Sequence, residues 1–271
     1  MGAMLTDIQA REALHVLVLM RAGEVLKHGA FILKGGVNLR LFFGSRRYSE
    51  DVDVDLDRAT RSAFVNTVNE TLRSRWLLDR LAMLGIERLE FSGRPAKNTD
   101  TTVRFKLGVV NAGGIRLPTR LEASLRERAG GDAAVVEEVD PAVTARYLNP
   151  ADRGLVVSHY PLQPALRQKI QALATRRLAQ ARDVFDLPVL AKSDRGNADV
   201  TWLRHTLSTD VLREAARRTW EIGYEQFRDQ VLEFLADEDQ HALGNEVEWE
   251  RRQLFVVELI ETILQAPEAS Q

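Results

Sequence analysis

The sequence predicts an α+β protein, with a small mixed β-sheet flanked by helices in its N-terminal part and a helical C-terminal part. Three observations carry that expectation. Apolar and polar residues alternate over 51–56 and again over 102–124, the period-two pattern of half-buried strands. Apolar residues recur at helical spacing before 29, over 59–84 and through most of the chain after 164. Finally, Gly35-Gly36 separates a short apolar run (Phe31, Ile32, Leu33) from a segment of helical spacing, as in a strand, turn and helix.

In chain order, Thr6 and Gln9 form a capping-box pair, and Ile8, Leu14, Leu17, Val18 and Val25 trace one face of a helix that should end near Gly29. His15 and His28 lie in or at the end of that helix, and surface positions are expected for both. Beyond the glycine pair, Asp51, Asp53 and Asp55 alternate with Val52, Val54 and Leu56, so the three aspartates should share one strand face. A single long helix is expected over 59–84, with Phe64, Val68, Leu72 and Trp76 at four-residue spacing. The stretch 93–100 reads as a polar loop. Strands at 102–110 and 115–124 should form a hairpin through Asn111-Ala112-Gly113-Gly114, leaving Arg116, Arg120, Glu122 and Ser124 on one polar face.

The following stretch to 160 predicts little beyond a strand at 155–157, and a domain boundary is placed at Tyr160-Pro161, giving domains 1–160 and 161–271. Pro164 opens a helix with Leu166, Ile170 and Leu173 on one face and Lys169 beside them. Further helices are expected at 209–222, 224–235 and 246–264, the last introduced by an Asn245 and Glu248 cap pair. Trp202, Trp220 and Trp249 read as core. Arg213, Arg217 and Arg218 are interspersed with Glu214 and Glu221, which favours a solvated helix face over a phosphate-binding strip.

Composition sets the bounds. At 271 residues, 45% hydrophobic and 28% charged, the chain can bury one large core or two modest ones. With 0 Cys there is no disulfide framework, and any metal must be held by oxygen ligands or by the 5 His. The N-terminus does not read as a signal peptide and no window is long enough to span a membrane, so a cytoplasmic protein with no membrane partner is expected. The net charge of -2 excludes neither a basic face nor an acidic cluster.

The chemistry concentrates at 33–55. Backbone N–H groups at a helix start, unobstructed at Gly35 and Gly36, can face an anion, and neighbouring carboxylates about 7 Å apart along a strand can converge on a cation. Each half alone is weak, since Gly-Gly is common in turns and strand aspartates are commonly only solvated. Both together, in this order, point to a phosphate cradle beside a cation-binding carboxylate cluster.

The residues here resemble a known family. Leu33-Lys34-Gly35-Gly36-Val37-Asn38-Leu39-Arg40 and Arg47-Tyr48-Ser49-Glu50-Asp51-Val52-Asp53 are similar to the AbiEii/AbiGii-type nucleotidyltransferase toxins of the polymerase-β-like superfamily. Val37-Asn38 departs from the family's small pair. Leu121-Glu122-Ala123-Ser124 is similar to a family strand. So are Lys169-x-x-Ala172-Leu173 and Arg182-Asp183-x-x-Asp186-Leu187 to a family helical segment.

The resemblance implies a nucleotidyltransferase domain, with the helical domain completing the active-site cleft, and transfer of a nucleoside monophosphate from an NTP. Asp51 and Asp53 would hold Mg2+ (or Mn2+), with Glu122 as the third metal carboxylate. A bland charge contact between Arg120 and Glu122 is the competing reading. Lys34, Gly35, Gly36, Ser49 and Lys169 would bind the nucleotide, Lys169 would neutralise the pyrophosphate, and Asp183 would position Lys169 or an arginine. On one straight helix Lys169 and Asp183 would stand about 21 Å apart, so if both act the helix must break around 175–179. The implied acceptor is RNA, a tRNA 3′ end whose modification blocks translation, with a cognate antitoxin as partner. A small-molecule nucleotidyltransferase of the aminoglycoside-modifying kind and a non-catalytic nucleotide-binding module remain open alternatives.

Overall fold

The computed structural model describes residues 5–125 and 133–267. The chain divides into two compact units, Met1–Phe42 with Tyr48–Tyr160, and Phe43–Arg47 with Pro161–Gln271.

Among the described residues, the first unit is built on a mixed sheet of eight strands. β1 (Phe31–Lys34), β2 (Val52–Leu56), β5 (Thr102–Asn111), β6 (Arg116–Ser124) and β8 (Val156–His159) form its body. β3 (Ile86–Phe91), β4 (Lys97–Asn98) and β7 (Val135–Glu138) lie outside the expected strands. The order is β3-β5-β6-β2-β1-β8-β7, with β4 paired to β5. β2 runs parallel to β6 and antiparallel to β1, while β1 runs parallel to β8.

Around the sheet lie α1 (Asp7–Leu26), α2 (Gly35–Phe42), α3 (Arg61–Arg73), α4 (Arg75–Met83) and a single turn, α5 (Pro141–Thr144). Thr6 caps α1 in a full capping box with Gln9. Leu14, Leu17, Ile32, Leu33, Val54, Phe105, Val109 and Ala123 fill the core, and burying a large apolar side chain contributes roughly 1.5–3 kcal/mol. Val25 is exposed, so the apolar stripe of α1 ends before it.

The long helix expected over 59–84 is two helices. Ser74 ends α3 and caps α4: its hydroxyl donates to the Thr71 carbonyl at 2.7 Å and accepts from the Leu77 N–H at 3.2 Å. A serine whose side chain competes for backbone partners breaks the helix although the apolar spacing runs straight through it. The 111–114 turn forms as expected, with Asn111 Oδ1 accepting from the N–H groups of Gly113 and Ile115, each at 3.0 Å.

The second unit is helical: α6 (Leu162–Thr175), α7 (Ala181–Ala191), α8 (Val200–Thr206), α9 (Thr209–Glu221), α10 (Tyr224–Val231), α11 (Asp237–Leu243) and α12 (Glu246–Gln265). Asn245 Oδ1 accepts from Glu248 N at 2.9 Å, the expected cap of α12. Trp249 is core, stacked on Phe227 with ring centroids 4.6 Å apart. Trp220 is 53% exposed and so not core as expected, because it falls on the outer face of α9. Arg217 and Arg218 both pair with Glu214, which makes that face a solvated charge network. No helix among the described residues is long and apolar enough to cross a membrane.

Candidate active site

In the first unit, β1 leads directly into α2 through Gly35, whose φ of +68° suits glycine. A Cβ there would sit 3.0 Å from Asp53 Oδ2. Glycine is thus required twice, for the backbone conformation and for the close approach of a carboxylate to the helix start. Asn38 pins α2 from below. Its Nδ2 donates to the Tyr160 carbonyl at 2.9 Å, and its Oδ1 accepts from His159 Nδ1 at 2.9 Å. This is the role of the residue that departs from the family's small pair.

Asp53 stands opposite Lys34 on one side and opposite Glu122 on the other, so β2 carries its carboxylates through the middle of the sheet. The aspartates are not equivalent. Asp55 is closed off by the Lys34 ammonium and by the Tyr160 hydroxyl, which donates to it at 2.7 Å. Asp53 is half-buried. Asp51 is 6% exposed and held by Arg120 through both its backbone N–H and its guanidinium. Hydrogen bonding to Asp51 in turn raises the Arg120 pKa further above its ordinary value.

Glu122 takes the Arg104 Nε at 2.5 Å, across the β5–β6 register, while Arg120 goes to Asp51. Ser49 donates its hydroxyl to the Asp51 backbone carbonyl at 2.8 Å and so fixes the turn into β2. The all-oxygen set of Asp51 and Asp53 suits a hard cation such as Mg2+, which takes one or two carboxylates and completes its shell with water and phosphate. Among the described residues there is no cluster of three or more acidic, imidazole or thiol groups arranged around one ion.

His15 is not at the surface. It is 3% exposed, and burial, reinforced by Arg11, lowers its pKa to about 3. Thr119 Oγ1 donates to the Glu50 carbonyl at 2.7 Å and lies 2.7 Å from His15 Nε2. The hydroxyl has one proton to give, so the imidazole donates and Nε2 carries the hydrogen. Helix α1 thereby holds the backbone next to Asp51.

In the second unit α6 and α7 are separate, with the break at 176–180. Gln226 Nε2 donates to the Ala179 carbonyl at 2.7 Å and Gln230 Oε1 accepts from Ala181 N at 2.9 Å, which fixes the turn. The fold-back sets Lys169 Nζ 3.1 Å from Asp183 Oδ1 and 2.6 Å from Asp186 Oδ2. Arg176 Nε approaches Asp183 Oδ2 at 3.1 Å, and Arg47 binds Asp186 bidentately through Nε and a terminal nitrogen, at 3.2 and 2.8 Å.

Asp183 and Asp186 are both 0% exposed and Lys169 7%. Asp183 therefore lies beneath the surface, paired with Lys169 and Arg176. Burial would raise the Asp186 carboxyl, but Arg47 and Lys169 override it and hold it at about 2. Lys169 has three N–H donors, of which these carboxylates engage two. Arg47 and Asp186 were legible only as motif positions without a role, and Arg120, Arg104 and Thr119 lay outside any motif.

A mixed sheet whose glycine turn packs against a strand of carboxylates, joined to a helical unit, defines a nucleotidyltransferase-type protein. The chain belongs to the AbiEii nucleotidyl transferase toxins of type IV toxin–antitoxin systems, whose family profile matches residues 18–266. The fold is similar to that of JHP933 from Helicobacter pylori, at 17% identity and a TM-score of 0.54, over 96% of this chain and 93% of that one. It is also similar to MenT4, a nucleotidyltransferase toxin from Mycobacterium tuberculosis, at 16% identity and a TM-score of 0.51, over 96% of this chain and 85% of that one. Comparison with curated proteins gave no match. Membership of the family implies a nucleotide substrate and an antitoxin partner.

Proposed function

We propose that this chain transfers a nucleoside monophosphate from an NTP to an RNA acceptor, a tRNA 3′ end, releasing pyrophosphate and blocking translation. The observation that carries the reading is the 3.0 Å approach of the Gly35 Cβ position to Asp53 Oδ2, which brings an anion-binding helix start and a carboxylate to one place. Asp51 and Asp53 would hold Mg2+ (or Mn2+), which supplies charge compensation at the α-phosphorus when bound. Backbone N–H groups at Gly35 and Gly36 orient the triphosphate. Arg120 and the Thr119 contact to Glu50 keep Asp51 in place. In the helical unit Lys169, held in position by Asp183 and Asp186, keeps one donor and its charge for an anion such as pyrophosphate.

The test is incubation with each labelled NTP, total RNA and Mg2+, followed by gel electrophoresis. A labelled tRNA band is expected, and EDTA should remove it. Label found only on a small-molecule acceptor, with none in RNA, would overturn the proposal.

A further inference from the structure

The helical unit contains a cavity of about 680 Å³ that plays no part in the chemistry above. It is lined by Phe43, Phe185 and Phe255 and by Arg46, Lys192, Arg251 and Arg252, with Asp194 and Glu248 as the acidic groups. Arg251 pairs with Glu248, and Arg46 pairs with Asp239 at 2.7 Å. Neither Lys192 nor Arg252 has an ion-pair partner among the described residues. Each lies instead over a ring, Lys192 Nζ 4.3 Å from the Phe255 centroid and the Arg252 guanidinium 4.2 Å from that of Phe185.

Arg252 is poorly provided for. One terminal nitrogen reaches the Phe185 carbonyl at 3.4 Å, and its buried Nε has no hydrogen-bond partner. Desolvation lowers its pKa from the ordinary arginine value. A desolvated cation with an unused donor favours an anion. The volume is within the range of small-ligand sites, and the half-buried Phe255 ring, once Lys192 leaves it, offers a π-face that a carboxylate side chain or a lipid headgroup would not use.

We propose that this cavity binds one nucleotide of a single-stranded RNA, with Arg252 and Lys192 on its phosphate and the Phe255 ring against its base. Lys192 would leave the Phe255 face for the phosphate, an exchange that gives up only the weak attraction of an exposed ammonium to a ring. The choice of RNA over a free nucleotide rests on the acceptor reading above.

The test is fluorescence anisotropy of the full chain with a labelled single-stranded oligoribonucleotide, about ten nucleotides long to cover one such site. Lys192→Glu should weaken binding on the order of tenfold and flatten the salt dependence by about 0.7 per lost phosphate contact. Arg252→Gln and Phe255→Leu should weaken it as well, with NTP affinity unchanged in Lys192→Glu. Lys192 is exposed at the end of α7, so that variant tests the proposal even where Arg252→Gln unfolds. Wild-type affinity in Lys192→Glu, no binding by the wild type, or equal competition by AMP would each overturn the assignment. RNA labelling by wild type and Lys192→Glu alike, with the same KM for RNA, would sink the cavity proposal alone, whereas absence of labelling by wild type would sink the acceptor reading.

Discussion

Arg120 holds Asp51 from two directions, its backbone N–H donating to Oδ1 at 3.1 Å and its Nε to Oδ2 at 2.8 Å. Strand β6 thereby fixes a carboxylate that precedes β2, and Asp51 is a packed group and not one on an open face. Asp51→Ala should therefore abolish transfer and also destabilise the fold by roughly 1–3 kcal/mol, because it strips two part-buried Arg120 donors of a charged acceptor. Asp53→Ala, at a half-buried position, should abolish transfer with little loss of stability. Thermal melts beside the RNA labelling assay check both, and transfer within tenfold of wild type in either variant would refute the two-carboxylate assignment.

Gly35→Ala should be harmful out of proportion to one methyl group. The new Cβ would meet Asp53 Oδ2 at 3.0 Å in a backbone conformation that L side chains avoid, so the loss should fall on both stability and turnover. Full activity in that variant would show that the turn can open without cost.

Lys169→Met should destabilise the protein by about 3–5 kcal/mol, since it leaves two buried carboxylates short of their shared cation. Denaturant unfolding measures this directly. A variant as stable as wild type, with only weaker NTP binding in calorimetry, would mean that Lys169 serves substrate and not the network.

The same network predicts an acid limb. Asp186 is held at about 2 in the folded chain against 3.8 for the free group. Its folded value is the lower one, so its contribution of about 2 kcal/mol is present above 3.8 and is lost as the pH falls through that window toward 2. Melting midpoints measured across that window should fall in the wild type and fall less steeply in Asp186→Asn. Parallel slopes would contradict the ion-pair account.

Thr119→Val keeps the side-chain shape but removes the contact to the Glu50 carbonyl and the acceptor for His15. Turnover should fall on the order of tenfold to hundredfold through misplacement of Asp51, with NTP affinity nearly unchanged. A fall in affinity without a fall in turnover would assign Thr119 to binding.

The sequence carried the strand, turn and helix around Gly35, the β5–β6 hairpin and the two aspartates because each rests on local periodicity or on a residue with few conformational alternatives. A joint role for Lys169 and Asp183 also called for a helix break between them, and the chain has one at 176–180. What it missed depends on partners far along the chain. His15 meets Thr119 104 positions away, and nothing near His15 distinguishes a buried imidazole from a solvated one. Ser74 lay hidden inside an unbroken series of apolar positions. β3, with Glu87 and Arg88 exposed beside a single buried Ile86, has too little alternation to read as a strand.

Phe43–Arg47 belongs with the helical unit although its neighbours in sequence belong with the sheet. The chain therefore passes from one unit to the other after Phe42, after Arg47 and again after Tyr160. A cut at residue 160 would not yield two self-sufficient pieces. The helical fragment would keep Asp186 and Lys169 in its interior and lose Arg47, the other cation that offsets that carboxylate. A helical half grafted onto another sheet unit would therefore need the five residues 43–47 carried with it to keep Asp186 paired with Arg47.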